Sequence, residues 1–587
     1  MSSLFRRAAF VLYLGLFLGL SLPIGSQAQA AGIGSAIPSK SYGAVVVNDP
    51  AKLNGKISSL MQALQVPAPE VLPLIKFQLG FNNGFDDKKP ALLVLYPGKN
   101  QPVVPVFLVP TTKFADFQVN FAKREAHESL KGYELVKANV GEMLLAPRGE
   151  YAVLIPKDFE GDLDDFVLDN ANLGEDLAKS ETWIAERDAS FVASKKGIRA
   201  AMKFIRQQFA QVKAMVGNQP GADAEMLKMV FDGYDFVFKS LEEQGELSVI
   251  GAKLDAQNNV YFDYRFGFDP NGTISAFFAK AGPAKSNDLA KLPAIPFTIA
   301  ADLQVDPALS AAMIEPLMSF VRLGLKQQQK DLTEEQIKQY QAAMLKSFET
   351  MRSAAFILGQ AKSGESILDN VLFTLQTENA AKYLKISREQ MEIMQKINAE
   401  SGQEITFKDT KIAGKDALEI TQKGILEQLK KQNPGNAREM NEIYNMLFGN
   451  RDSLQQWLVI ADETTLVGAL NQALLLDTLG DLAKKKAEFS KDTENAAVLG
   501  LLPAERHVTV LLDFGAYMNL IMKFQNLANG GNGPGNAIPE FPAAPAVGYS
   551  VKMSKEGLET STVIPFKLIS TAAAYFQTLV GNNRLNF

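Results

Sequence analysis

The chain has 587 residues, 60 basic and 65 acidic, for a net charge of −5, and it contains no cysteine. Mild acidity excludes the basic footprint that nucleic acid or an anionic lipid surface demands, and the lack of thiols excludes disulfides, thiolate chemistry and Cys-based metal sites. Hydrophobic content of 47% and charged content of 21% belong to a folded globular protein. The length predicts about two to four domains.

The opening segment reads as an export signal. Arg6 and Arg7 supply positive charge, residues 8–22 form an uncharged apolar run, and Pro23 and Gly25 end it. Ala28-Gln29-Ala30 then offers the small-x-small pattern of a signal peptidase site. Residues 1–30 are therefore expected to be a cleavable signal peptide, cut after Ala30 or alternatively after Ala28. No cysteine follows the run to carry a lipid anchor, and no later stretch approaches the ~18 consecutive apolar residues of a bilayer span. Loss of Arg6 and Arg7 leaves 58 basic residues against 65 acidic, a net of −7. The expected product is a soluble protein, periplasmic or extracellular, with no integral membrane span.

Four similar modules follow, each a strand, a helix, a two-strand hairpin and a second helix. In the first, strand 44–47 ends at Asn48-Asp49-Pro50; strand 92–95 turns at Pro97-Gly98-Lys99-Asn100 into Phe107-Leu108-Val109, and Thr111 precedes a helix bearing Phe117. The second has strand 190–193 before Ser194, then strand 248–254, the turn Gln257-Asn258-Asn259, Phe266-Gly267-Phe268, Pro270-Asn271 and Phe277.

The third has strand 297–301 before Asp302, then strand 355–359, the turn Lys362-Ser363-Gly364, Phe373-Thr374-Leu375, Thr377 and Tyr383. The fourth has strand 508–512 before Asp513, then strand 548–553, the turn Lys555-Glu556-Gly557, Phe566-Lys567-Leu568, Ser570 and Phe576. Asn, Asp, Ser and Thr at these junctions can accept hydrogen bonds from first-turn helix amides, and Gly and Asn tolerate the positive φ of tight hairpins. The helix aromatic follows the strand Phe by ten residues, or eleven in the second module, which predicts one small core holding both rings.

The first and third modules carry extensions. Segments 133–147 and 405–421 read as hairpins turning near Gly141 and Gly414, followed by strands 151–155 and 456–460. The third also inserts a helix with a capping box, Thr333 with Gln336, and an apolar stripe of Ile337, Tyr340, Met344, Phe348 and Met351; residues 384–397 form another helix. Long plus short, repeated once, predicts two duplicated halves. The first spans 40–290, with modules at about 42–185 and 186–290; the second spans 291–587, with modules at about 291–500 and 501–587. The fold class expected is α+β: antiparallel sheets with helices packed on one face, built from four β-α-β-β-α modules.

Chemical motifs are scarce. His127 lies among Lys123, Arg124, Glu125 and Glu128, as on a solvated helix face, and His507 sits at the mouth of a strand; neither has HExxH spacing and no GxSxG elbow accompanies them. The glycines between Asn529 and Gly535 follow a helix and precede Pro-rich coil, which reverses the order of a phosphate-binding loop. Asp158, Glu160, Asp162, Asp164 and Asp165 lack the EF-hand pattern and read as a solvated acidic turn, and Lys484-Lys485-Lys486 reads as an exposed helix face. Trp183 and Trp457 are too far apart to predict a sugar platform, and the sequon Asn271-Gly272-Thr273 is explained by its turn. No catalytic, cofactor-binding or metal-binding residue is singled out, and no cofactor is expected.

The stretches YGAVVVNDPAKL (42–53) and VGYSVKMSKEGLETSTVIP (547–565), with the module pattern, resemble a group of large secreted bacterial proteins frequent in planctomycete-type bacteria. These begin with a signal peptide and continue with strand-helix-hairpin-helix modules. The resemblance implies the architecture and no established activity. The expected role is that of a non-enzymatic envelope protein that binds or scaffolds an envelope protein, a polysaccharide or a lipid. A periplasmic carrier of lipid or another apolar ligand is the alternative, and an enzyme with an unrecognised site is the second alternative.

Overall fold

The computed structural model describes residues 33–581 apart from 68–69, 122–123, 128–129, 131, 163–165, 167–170, 217–221, 285–288, 290–291, 315–316, 319–332, 362–365, 399–403, 428–436, 450, 452, 485–488, 490–492 and 529–538. The expected signal peptide, the glycine-rich loop 529–535 and the third hairpin turn lie outside the described residues. The described residues form an α+β fold, with 43% helix and 33% strand. Two compact units divide it: one runs to Ser275 and takes in Glu556–Glu559, the other comprises Ala276–Lys555 and Thr560–Phe587.

The first unit contains ten strands: β1 (Gly43–Val47), β2 (Ala91–Tyr96), β3 (Val104–Pro110), β4 (Arg124–Ala126), β5 (Glu134–Ala138), β6 (Gly141–Arg148), β7 (Tyr151–Pro156), β8 (Ala189–Ser194), β9 (Gly245–Leu254) and β10 (Val260–Phe268). All pair antiparallel, in the spatial order β10-β9-β8-β1-β2-β3-β7-β6-β5-β4. Its helices are α1 (Ile33–Ala36), α2 (Pro50–Ala63), α3 (Val71–Leu79), α4 (Phe114–Gln118), α5 (Gly174–Leu177), α6 (Glu181–Ala185), α7 (Lys195–Val216), α8 (Ala222–Gln244) and α9 (Thr273–Phe278).

The second unit has β11 (Phe297–Gln304), β12 (Met351–Gly359), β13 (Val371–Thr377), β14 (Glu404–Ile412), β15 (Lys415–Lys423), β16 (Ser453–Ile460), β17 (Thr465–Ala469), β18 (Val508–Leu512), β19 (Val547–Ser554) and β20 (Gly557–Ile564), the first three residues of which are grouped with the first unit. Their order is β20-β19-β18-β11-β12-β13-β17-β16-β15-β14, which repeats the first unit position for position. Its named helices are α10 (Glu334–Thr350), α11 (Ala380–Asn398), α12 (Ala437–Phe448), α13 (Gln472–Ala483), α14 (Thr493–Leu501), α15 (Phe514–Ala528) and α16 (Phe566–Gly581).

Strand alternation assigns side chains to two faces, and in the first unit both are covered. Ala44, Val46, Leu92, Val94, Leu108, Val153 and Val192 point into a core closed by Ile33, Ile37, Phe166, Leu173, Leu177 and Ile184. The opposite face packs Val109, Leu145 and Leu154 on Leu79, Phe81 and Phe117, and Val47, Ala189 and Leu254 on Leu53 and Ile57. Helices on one face only are therefore a correction for this unit: α2, α3 and α4 lie on one side, and α1, α5 and α6 on the other. Residues 33–41 are not a spacer before the first strand. Ile33 and Ile37 are core residues, Ser39 donates its N–H to Ala171 at 2.9 Å, and a Cβ on Gly34 would meet the Gly174 backbone at 2.7 Å.

Local capping follows the sequence in some places and not in others. Asp49 caps α2, Ser194 accepts the Gly197 N–H of α7, Asp513 accepts the Ala516 N–H of α15, and Thr333 with Gln336 forms the capping box of α10. Asp302 instead lies inside β11. Thr111 and Thr377 donate their hydroxyls to the carbonyls of Glu150 and Thr464, and Asn379 caps α11. In α9 the first-turn amide of Ile274 is taken by Gln244 at 2.9 Å, from the end of α8, and not by Asn271.

One helical stripe and one strand are also corrected. Met351 leaves α10 and opens β12, and the deepest residues of α10 are Ala343, Ser347 and Thr350. Phe566-Lys567-Leu568 is no strand: the second hairpin strand is β20, and Phe566 opens α16 just after Pro565.

The expected aromatic pairs form twice. Phe107 and Phe117 share one core, and Phe373 and Tyr383 share another. Phe117 is fully buried against the rings of Phe81 and Phe121, whereas Phe576 is 45% exposed. Phe117→Ala is accordingly expected to lower stability by about 3–5 kcal/mol through the cavity it leaves. Phe576→Ala should stay within about 0.5 kcal/mol. Calorimetric unfolding of both variants checks the contrast.

Candidate functional site

A concavity lies in the first unit beneath α3. Its floor is the α3-facing side of three paired strands: Val45 and Val47 of β1, Ala91 and Leu93 of β2, and Phe107 and Val109 of β3. Ala91 sits across from Val47, and its single methyl leaves the floor low beside that larger neighbour. The roof is α3, where Leu72, Ile75 and Leu79 recur at helical spacing and face inward. Phe81, Phe85 and Pro50 form the walls. The cavity holds about 80 Å³, is partly open, and all fourteen lining residues are apolar.

The ends of α3 are fixed by a few polar contacts. Asn54 of α2 accepts the Leu72 N–H at 2.9 Å, and Gly80, at φ 75°, turns the chain out of the helix while donating to the Lys76 and Phe77 carbonyls. Asn139 donates to the Phe77 carbonyl at 2.6 Å. The outward side of α3 is apolar too, with Leu74 42% and Phe77 65% exposed. At the rim stands Lys76, its Nζ 5.0 Å above the Phe85 ring and 3.8 Å from Asp87.

The residues weighed from sequence lie elsewhere. His507 is buried in the second unit; its Nδ1 accepts the Met553 N–H at 3.1 Å, so its Nε2 donates to the Gly282 carbonyl at 2.9 Å. Both nitrogens hold the fold. His127 is not on a helix face: it follows edge strand β4, accepts the Leu130 N–H at 3.1 Å and sets Nε2 3.1 Å from Glu160. Asp164 and Asp165 lie outside the described residues, as do Lys485 and Lys486, while Lys484 is the C-cap of α13. Among the described residues no group of acidic or histidine side chains is arranged to hold a metal ion, and no helix is long and apolar enough to cross a membrane.

Trp183 is covered by the Arg187 guanidinium, 3.6 Å from the ring, and Arg187 binds Asp263 at 2.8 Å. A Cβ on Gly251 would strike both Arg187 and Trp183, so this glycine makes room for the pair. Trp457 is buried in β16. Asn271, Gly272 and Thr273 form the turn into α9, as the sequence implies.

A second polar group, not singled out by the sequence, is Lys56 of α2 with Asp188 before β8, 3.1 Å apart and largely buried. Burial lowers the Lys56 amine to about 8 against the pull of Asp188, and burial raises the Asp188 carboxyl. The pair lies between α2 and the sheet; neither residue lines the pocket. No protein-family model, curated protein or solved structure matches the chain.

Below about pH 8 Lys56 is charged in both the folded and unfolded chain. Between about 8 and the ordinary lysine value of 10.5 only the unfolded chain keeps the proton, so this group's contribution to stability rises with pH across that window. Urea unfolding of wild type and Lys56→Gln at several pH values should show the wild type gaining on the variant from pH 8 to 10.

Proposed function

We propose that the chain is an exported bacterial envelope protein that binds an apolar ligand in its first unit and carries out no chemistry on it. The observation that supports this is the pocket beneath α3, with its apolar lining and its opening beside a helix that is apolar on both sides. An apolar cavity of this kind favours hydrocarbon, because any polar group placed inside would lose its hydrogen bonds to water without replacement. Export is inferred from the leader-like residues 1–30, and the location proposed with it is the periplasm or outside the cell. The shared strand order supports an ancient duplication of one ten-stranded unit, each copy a long and a short β-α-β-β-α module.

A second reading, a scaffold for a protein partner, draws on the α7–α8 pair. Arg206 bonds Asp235 and Glu242, each at 2.8 Å, and the Phe209 ring meets Phe231 and Phe238, so the two helices run antiparallel. Phe204 and Phe236 are left exposed on this pair.

Native mass spectrometry of the protein taken from its own host's envelope separates the readings. A mass increment matching a lipid or fatty acid, with the N-terminus starting at Ala31, is the expected result. A stoichiometric protein partner with no small-molecule increment would favour the scaffold instead.

A further inference from the structure

We infer that the pocket beneath α3 takes the tail of an unbranched alkyl carboxylate, with Lys76 receiving its head; this rests on the apolar-ligand reading above. Three observations set the ligand class. First, a volume of about 80 Å³ is roughly half of the ~150 Å³ apolar cavity that admits benzene, so the pocket encloses only the last few methylenes of a narrow chain and the rest of the chain lies in its open side. Second, the lining offers no side-chain donor or acceptor, so the ligand's polar end must remain at the opening.

Third, the opening has a cation. Lys76 directly follows the pocket residue Ile75 on α3, and its Nζ stands over the face of Phe85, itself a pocket wall. Its contact with Asp87, at 3.8 Å, lies beyond hydrogen-bond range, which leaves the ammonium's N–H groups able to donate to a carboxylate entering beside it. The same charge gives an alcohol no ionic partner, and an alkylammonium would have to turn to Asp87 instead. The chemistry therefore ranks the acid first at equal chain length.

The test is a titration of the full chain with octanoate, 1-octanol and octylammonium, followed by methyl NMR and calorimetry. Octanoate is expected to bind tightest, with shifts centred on the methyls of Ile75, Leu79 and Val45. Lys76→Gln should weaken octanoate about fivefold and leave 1-octanol unchanged, with the melting temperature unaltered because the side chain lies at the rim. If 1-octanol binds at these methyls and octanoate binds no tighter, or if Lys76→Gln has no effect on octanoate, the head-group assignment falls and the apolar-ligand reading stands. If none of the three moves these methyls, both fall.

Discussion

Everything in the first unit depends on its central strands being buried on both faces. In β7 the four consecutive residues Ala152, Val153, Leu154 and Ile155 are all fully buried, and in β6 Met143 to Ala146 nearly so. Alternate side chains enter different cores: Val153 joins Leu108 and Val46, and Leu154 joins Leu145 and Phe117. Each such aliphatic side chain contributes about 1.5–3 kcal/mol only if something covers it. Two covering layers are therefore obligatory. The segment from Ile33 with α5 and α6 supplies one, and α2, α3 and α4 supply the other.

The second layer covers incompletely. Helix α3 is apolar nearly all round, yet its outer residues Leu74 and Phe77 meet solvent and its inner residues stop short of the floor at Ala91. At about 24 cal/mol per Å³, a void of about 80 Å³ costs about 2 kcal/mol of stability. A hydrocarbon chain filling the space restores the missing contacts. That balance links packing to the proposed function: an apolar ligand there would make the contacts that the fold leaves unmade.

How far the sequence reveals this depends on which interactions are local. Strand 44–47 is legible because two-sided burial writes a short continuous apolar run, and Asp49, Ser194, Asp513 and Thr333 are legible because a cap acts within three residues. Gln244 is not, since it reaches the α9 amides from about thirty residues away. Strand β4 is three exposed residues, Arg124-Glu125-Ala126, with no apolar pattern to read, so His127 looks like part of a helix face. Because β4 pairs with β5 as β14 pairs with β15, the true counterpart of the 405–421 hairpin is β4–β5, one strand earlier than the pattern around Gly141 implies. Strand β17 is five residues long, and its Gly468 interrupts the apolar run; Phe373 lies against that glycine, where a Cβ would clash. The pocket residues each read as ordinary core, and Lys76 as ordinary surface. Only the register of β1, β2 and β3 beneath α3 brings them together.

The central claim is that the space beneath α3 is a preformed, dry and enterable apolar site. Crystals of the protein pressurised with xenon test it most directly, because xenon occupies such cavities without needing a head group. The account predicts a xenon atom between Ile75 and Leu93, displaced when octanoate is added. A well-ordered first unit with no xenon there, or with ordered water in its place, would contradict it.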